Sequence, residues 1–124
     1  MKWLDRSLIV GPHLTLVTSE KQYNKVMTHL RLPRKNWPTY ANGGNASTLL
    51  LENSDGEQVC VVSLHTVPKG TPKSVVYGLL VHEAVHVFQH KLDGMGEDKP
   101  SKEFQAYSIQ SIACELFDQY ARMK

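Results

Sequence analysis

The chain has little of what would commit it to a specialised class. Two cysteines in 124 residues, Cys60 and Cys114, are too few for a disulfide scaffold and are expected as thiols inside a small domain. No apolar run approaches the ~18 residues of a membrane span. The opening Met1-Lys2-Trp3-Leu4-Asp5-Arg6 puts charges where a secretory signal needs its apolar stretch, so a cytoplasmic protein with no membrane partner is expected. An excess of one charge is missing too: 14 Lys and Arg against 12 Asp and Glu leave a net +2. The basic residues are scattered rather than striped, which argues against a nucleic-acid partner. There is no internal repeat and no low-complexity tract.

With 41% hydrophobic and 21% charged residues, the chain has the composition of a globular protein, and its length suits a single domain spanning residues 1–124. Leu14 to Thr18 has strand composition. Ser19 with Gln22 three residues later is a capping box that opens an amphipathic helix through Val26, Met27 and Leu30. Residues 33–47 carry two prolines, paired glycines and three asparagines, and are expected as a long loop. Thr48 to Glu52 and Glu57 to Val67 flank the turn signal Asn53-Ser54-Asp55-Gly56 and predict a β-hairpin. Thr71-Pro72 reads as an N-cap followed by proline at the first helical position. The helix it opens runs to about Leu92, where Gly94 and Gly96 end it. Pro100 or Ser101 then opens a last helix carried by Ile109, Ile112, Ala113, Leu116 and Phe117. The fold class expected is α+β: a small three-stranded sheet with an N-terminal helix, a central helix and a C-terminal helix.

The central helix holds the chemistry. Its apolar positions, Val75, Val76, Leu79, Leu80, Val81, Ala84, Val85, Val87 and Phe88, go round most of the circumference, which predicts a largely buried helix. Within it stands His82-Glu83-Ala84-Val85-His86. Unpaired buried imidazoles and a carboxylate would cost roughly 1 to 3 kcal/mol each, more for the charge. A zinc ion removes that cost. Histidines four apart project from one face of a helix, and two imidazole nitrogens at about 2.1 Å suit the metal. The adjacent glutamate reaches a water on the ion rather than the ion, which is the mechanics of the H-E-x-x-H helix of metallopeptidases.

A third ligand is needed. His90 lies eight residues from His82, about 12 Å along the axis, and cannot share the ion with both partners. The longer pattern ending in G-x-x-H is absent, because Gln89 and Leu92 stand where it needs glycine and histidine. Glu103 falls in the first turn of the next helix, after a glycine-bearing turn, with the small Ala106 one turn on. Asp93 is too far along the helix, and Glu97 and Asp98 sit in the turn itself.

His82, Glu83 and His86, followed by Glu103 and Ala106 in "EFQAY", resemble the gluzincins, the thermolysin-like clan of zinc peptidases, over about residues 72 to 110. The short chain is similar to the minimal single-domain members of that clan, which implies a minimal zincin-like fold. The resemblance implies that His82, His86 and Glu103 bind Zn2+, that Glu83 is the general base and acid, and that the substrate is a peptide or protein. It departs from the clan at Tyr107, where Asp or Asn usually orients a histidine. An oxyanion-stabilising donor besides zinc could come from Tyr107, Tyr40, Tyr77 or His65, with Tyr107 favoured because it shares a helical face with Glu103. Zincins hold extended substrates along an edge strand, so the strand at about residues 45 to 52 is expected at the sheet edge, with Asn45 and Ala46 against the substrate backbone.

Two other classes compete. Peptide deformylases carry H-E-x-x-H with a cysteine ligand, but "QVCVVS" around Cys60 lacks their E-G-C-L-S. A zinc-binding interaction or assembly protein that has lost turnover would keep the histidines and have no need of Glu83.

Overall fold

Alternating side chains make His13–Val17 strand β1: Leu14 and Leu16 enter one apolar cluster and Val17 another. The computed structural model describes residues 13–40, 46–65, 68–96 and 99–123. Strand β2, Ala46–Glu52, and strand β3, Gln58–Leu64, complete a sheet of order β1-β3-β2. β3 pairs parallel with β1, from His13↔Val59 to Val17↔Ser63, and antiparallel with β2, from Ala46↔Leu64 to Glu52↔Gln58. The central strand is buried on both faces, as its run of Val59, Cys60, Val61 and Val62 requires. Its odd and even positions serve different cores.

Helix α1, Glu20–His29, covers one face, packing Tyr23, Val26 and Met27 against Val17, Val59 and Val61. Ser19 caps it, accepting from the Gln22 backbone N–H at 3.2 Å. The reciprocal half of the capping box is displaced by one residue, since Gln22 Oε1 accepts from Thr18 N at 2.7 Å. The loop that follows is tied down over residues 33–40. It contains one 3-10 turn, Arg34–Asn36, the Trp37 indole donates to Leu32 O at 2.9 Å, and the Tyr23 hydroxyl donates to Pro38 O.

The β2–β3 hairpin forms where "NSDG" predicts it. Asn53 Oδ1 accepts from the N–H groups of Asp55 and Glu57, and Gly56 takes φ +81°, which a side chain would strain. β2 begins at Ala46, two residues before the strand read from composition, and β3 ends at Leu64.

Helices α2, Lys73–Met95, and α3, Lys102–Arg122, lie on the other face over Leu14, Leu16, Cys60, Val62 and Leu64. Thr71 does not cap α2 as expected: its hydroxyl donates to Pro68 O at 2.7 Å, and Pro72 is the N-cap. The other ends match their signals, with Gly96 left-handed at φ 68° after α2 and Ser101 accepting from Phe104 N at 3.2 Å to start α3.

The burial of α2 overturns one expectation. The helix packs a single stripe, Val76, Leu80, Glu83, Ala84, Val87, Phe88 and Lys91, and leaves Val75, Tyr77 and Val81 exposed. A three-stranded sheet and one neighbouring helix cover only about half of its circumference. Among the described residues no helix is long and apolar enough to cross a membrane.

Candidate metal and catalytic site

The stripe that packs α2 sets the attitude of its polar residues. Glu83 belongs to the stripe and is 4% exposed. Its Oε1 accepts from the Thr48 hydroxyl of β2 at 2.8 Å, so the carboxylate is held between the helix and the edge strand. His82 and His86 fall outside the stripe and are exposed. Their rings lie 5.0 Å apart between centroids with planes at 74°, side by side on one face as the four-residue spacing dictates.

The exposure of the two rings corrects the reasoning that led to zinc. Solvated imidazoles carry no burial cost for a metal to remove, and the buried carboxylate of the motif, on Glu83, is met by Thr48. The donor set itself fits a metal better than the burial does. The Gln89 side chain lies 2.9 Å from His86 Nδ1, and a proton on Nδ1 donated to its amide oxygen leaves the Nε2 lone pair for a ligand bond.

Glu103 is not brought to this pair. α3 runs antiparallel to α2, with Phe104 6.0 Å from Phe88 at one end and Phe117 and Tyr120 at 5.1 and 6.4 Å from Tyr77 at the other. At 100° per residue, Tyr77 and Phe88 fall within about 20° of each other, whereas His82 and His86 lie roughly 130° and 170° from their mean direction. α3 therefore packs on the side of α2 away from the histidines. Glu103, Ala106 and Tyr107 are all exposed on α3, Tyr107 at 67%. Among the described residues, no three His, Cys, Asp or Glu side chains converge as a metal site would need.

The remaining candidates are dispersed. Tyr40 and His65 stack edge to face at 5.5 Å on the α1 side of the sheet, where Tyr40 also meets Tyr23. Tyr77 is engaged with α3. None of the three shares a face with His82. Ala46 opens β2 and packs against the α2–α3 cluster; Asn45 lies outside the described residues. β2 is an edge strand, as the zincin resemblance implies. Cys60 is fully buried in the sheet, Cys114 is exposed, and the two form no disulfide.

Thr48 is the residue that sequence reasoning missed. Its signal was faint: with strand alternation it shares a face with Ala46 and Leu50, a hydroxyl on the side that a helix must cover. No family model, characterised protein or solved structure matches the chain.

Proposed function

We propose that the protein is a zinc-dependent peptide hydrolase of minimal zincin-like fold, in which His82 and His86 hold the ion and Glu83 moves the proton. The supporting observation is the joint placement of three groups. A paired, exposed dihistidine stands one helical step from a carboxylate fixed by Thr48 beneath an edge strand. A bound zinc ion supplies a Lewis acid for the scissile carbonyl and a water of lowered pKa. Glu83 then takes the proton of the attacking water and delivers it to the leaving amine. Thr48 keeps the carboxylate in place through Oε1. The β2 edge offers backbone groups to an extended substrate. The gluzincin resemblance implies Glu103 as the third ligand, with Tyr107 as its helical neighbour; α3 carries Glu103 on the side of α2 away from the dihistidine, so this reading requires α3 to shift when zinc binds.

The experiment is incubation of the zinc-loaded chain, which we place in the cytoplasm, with a complex peptide mixture, cleaved bonds being identified by mass spectrometry. Glu83→Gln is expected to retain zinc and lose hydrolysis by about two to four orders of magnitude. Undiminished cleavage by that variant removes the mechanism.

A second reading draws on the position of α3. With Glu103 exposed and α3 on the far side of α2, the dihistidine also suits a zinc-binding interaction or assembly protein without turnover. Zinc dissociation constants separate the two: the hydrolase reading expects Glu103→Ala to weaken binding at least tenfold, and unchanged affinity together with no cleavage favours the second.

A further inference from the structure

At the opposite end of α2 from its Gly96 terminus, the turn at residues 68–71, the first turns of α2 and the last turn of α3 enclose a cavity of about 540 Å³. Its volume is in the range of small-molecule sites, roughly 300 to 1,000 Å³. Tyr77, Tyr120, Lys69 and Lys73 are among the residues that line it. Tyr77 is fixed from the α3 side, its ring 5.1 Å from Phe117 and 6.4 Å from Tyr120, and is still 39% exposed. Two aromatic rings held in place by packing offer a flat body a surface to stack on at little entropic cost.

The charge of the lining is one-sided. Lys69 and Lys73 are both exposed, and no carboxylate is among the lining residues. Gly70, at φ 91°, makes the turn that lets the chain at Lys69 bend back into α2. The Thr71 hydroxyl donates to Pro68 O, and the positive charge of the lining comes from the two lysines. A neutral aromatic would leave both ammonium groups without a counter-charge, and a bare anion would leave the tyrosines uncovered. We propose that this cavity binds a small aromatic anion, with its ring against Tyr77 and Tyr120 and its carboxylate or phosphate between Lys69 and Lys73. Tyr77 faces α3, away from His82 and His86, so the site is separate from the dihistidine and stands whether or not the chain binds zinc.

The test titrates the full chain with three probes while amide shifts are mapped: phenyl phosphate, benzyl alcohol as the ring without the charge, and inorganic phosphate as the charge without the ring. Phenyl phosphate is expected to bind at least tenfold more tightly than either comparator, with shifts centred on Gly70, Tyr77 and Tyr120. Lys69→Glu/Lys73→Glu, both at exposed positions, is expected to weaken it at least tenfold with unchanged thermal unfolding. Inorganic phosphate binding as tightly as phenyl phosphate reduces the site to surface lysines, and equal binding of benzyl alcohol reduces it to an apolar crevice; either overturns the proposal. So do shifts centred elsewhere, full affinity in the double variant, or no binding at millimolar concentration.

Discussion

Thr48→Val deletes one hydroxyl and keeps the shape of the side chain, so it isolates the bond that holds Glu83. The 2.8 Å contact is made to a carboxylate that is 4% exposed, beneath a strand residue that is half-buried. A hydrogen bond to a charged group contributes about 1.5 to 3 kcal/mol. Valine supplies no substitute donor and its methyl groups leave no cavity, so the expected loss, which includes leaving the Glu83 oxygen without its donor, is about 1.5 to 2 kcal/mol, in the lower part of that range because Thr48 is only half-buried. For a chain between the size classes usually surveyed, that is a fall of roughly 5 to 10 °C in Tm. Thermal and denaturant unfolding of Thr48→Val, Glu83→Met, which removes the acceptor, and the double variant form a cycle in which the two sites should couple by at least about 1 kcal/mol. Thr48→Ser, which keeps the hydroxyl, should stay within about 0.5 kcal/mol of the parent in this contact. Additive effects in the cycle, or a Thr48→Val variant as stable as the parent, would refute the placement of Glu83 under β2.

Gln89→Ala should lower zinc affinity by about tenfold through loss of the bond that sets the His86 tautomer, measured by competition with a chromogenic chelator. His82→Ala and His86→Ala should each abolish measurable zinc binding and leave the unfolding transition of the metal-free chain unchanged, because both rings are exposed. At alkaline pH a different pair governs stability. Burial holds the Tyr23 hydroxyl above its usual 10.0, and burial followed by the nearby Glu20 charge does the same for Tyr40. The unfolded chain then loses these protons first, so stability should be level below about pH 10 and fall as pH rises through that value. Tyr40→Phe should flatten that fall in Tm scans between about pH 9 and 11.5, and an unchanged slope would exclude Tyr40 as a contributor.

Much of the architecture is legible in the sequence because it is written locally. Ser19, Gly96 and Ser101 punctuate helices by satisfying or releasing backbone groups within a turn, and Asn53 to Gly56 closes a hairpin through its own side chain. The same locality explains the four-residue meeting of His82 and His86. What cannot be read locally is which side of α2 each neighbour takes. Its apolar residues encircle the helix, so the pattern does not choose between sheet, α3 and solvent. The structure gives the Val76, Leu80, Ala84 and Val87 stripe to the core and Val75 and Val81 to water. Its place in a first turn marks Glu103 as a ligand candidate in the sequence, and the phase of α3 puts that residue outside. Thr48 stayed hidden for a related reason: its partner lies 35 residues away in sequence, and only the packing of α2 against β2 brings them together.

The split between an inward glutamate and outward histidines, one residue apart on a helix, gives the two halves of the motif different fates under mutation. Loss of a solvent-facing imidazole costs the fold almost nothing, so a lineage released from selection for metal binding can shed His82 and His86 one at a time. Glu83 is anchored by Thr48, and a descendant that discards it must repair the strand–helix seam at the same time. Among diverged copies of this chain, a lost Glu83 is therefore expected together with change at the strand–helix seam, whereas a lost histidine leaves the fold as it was.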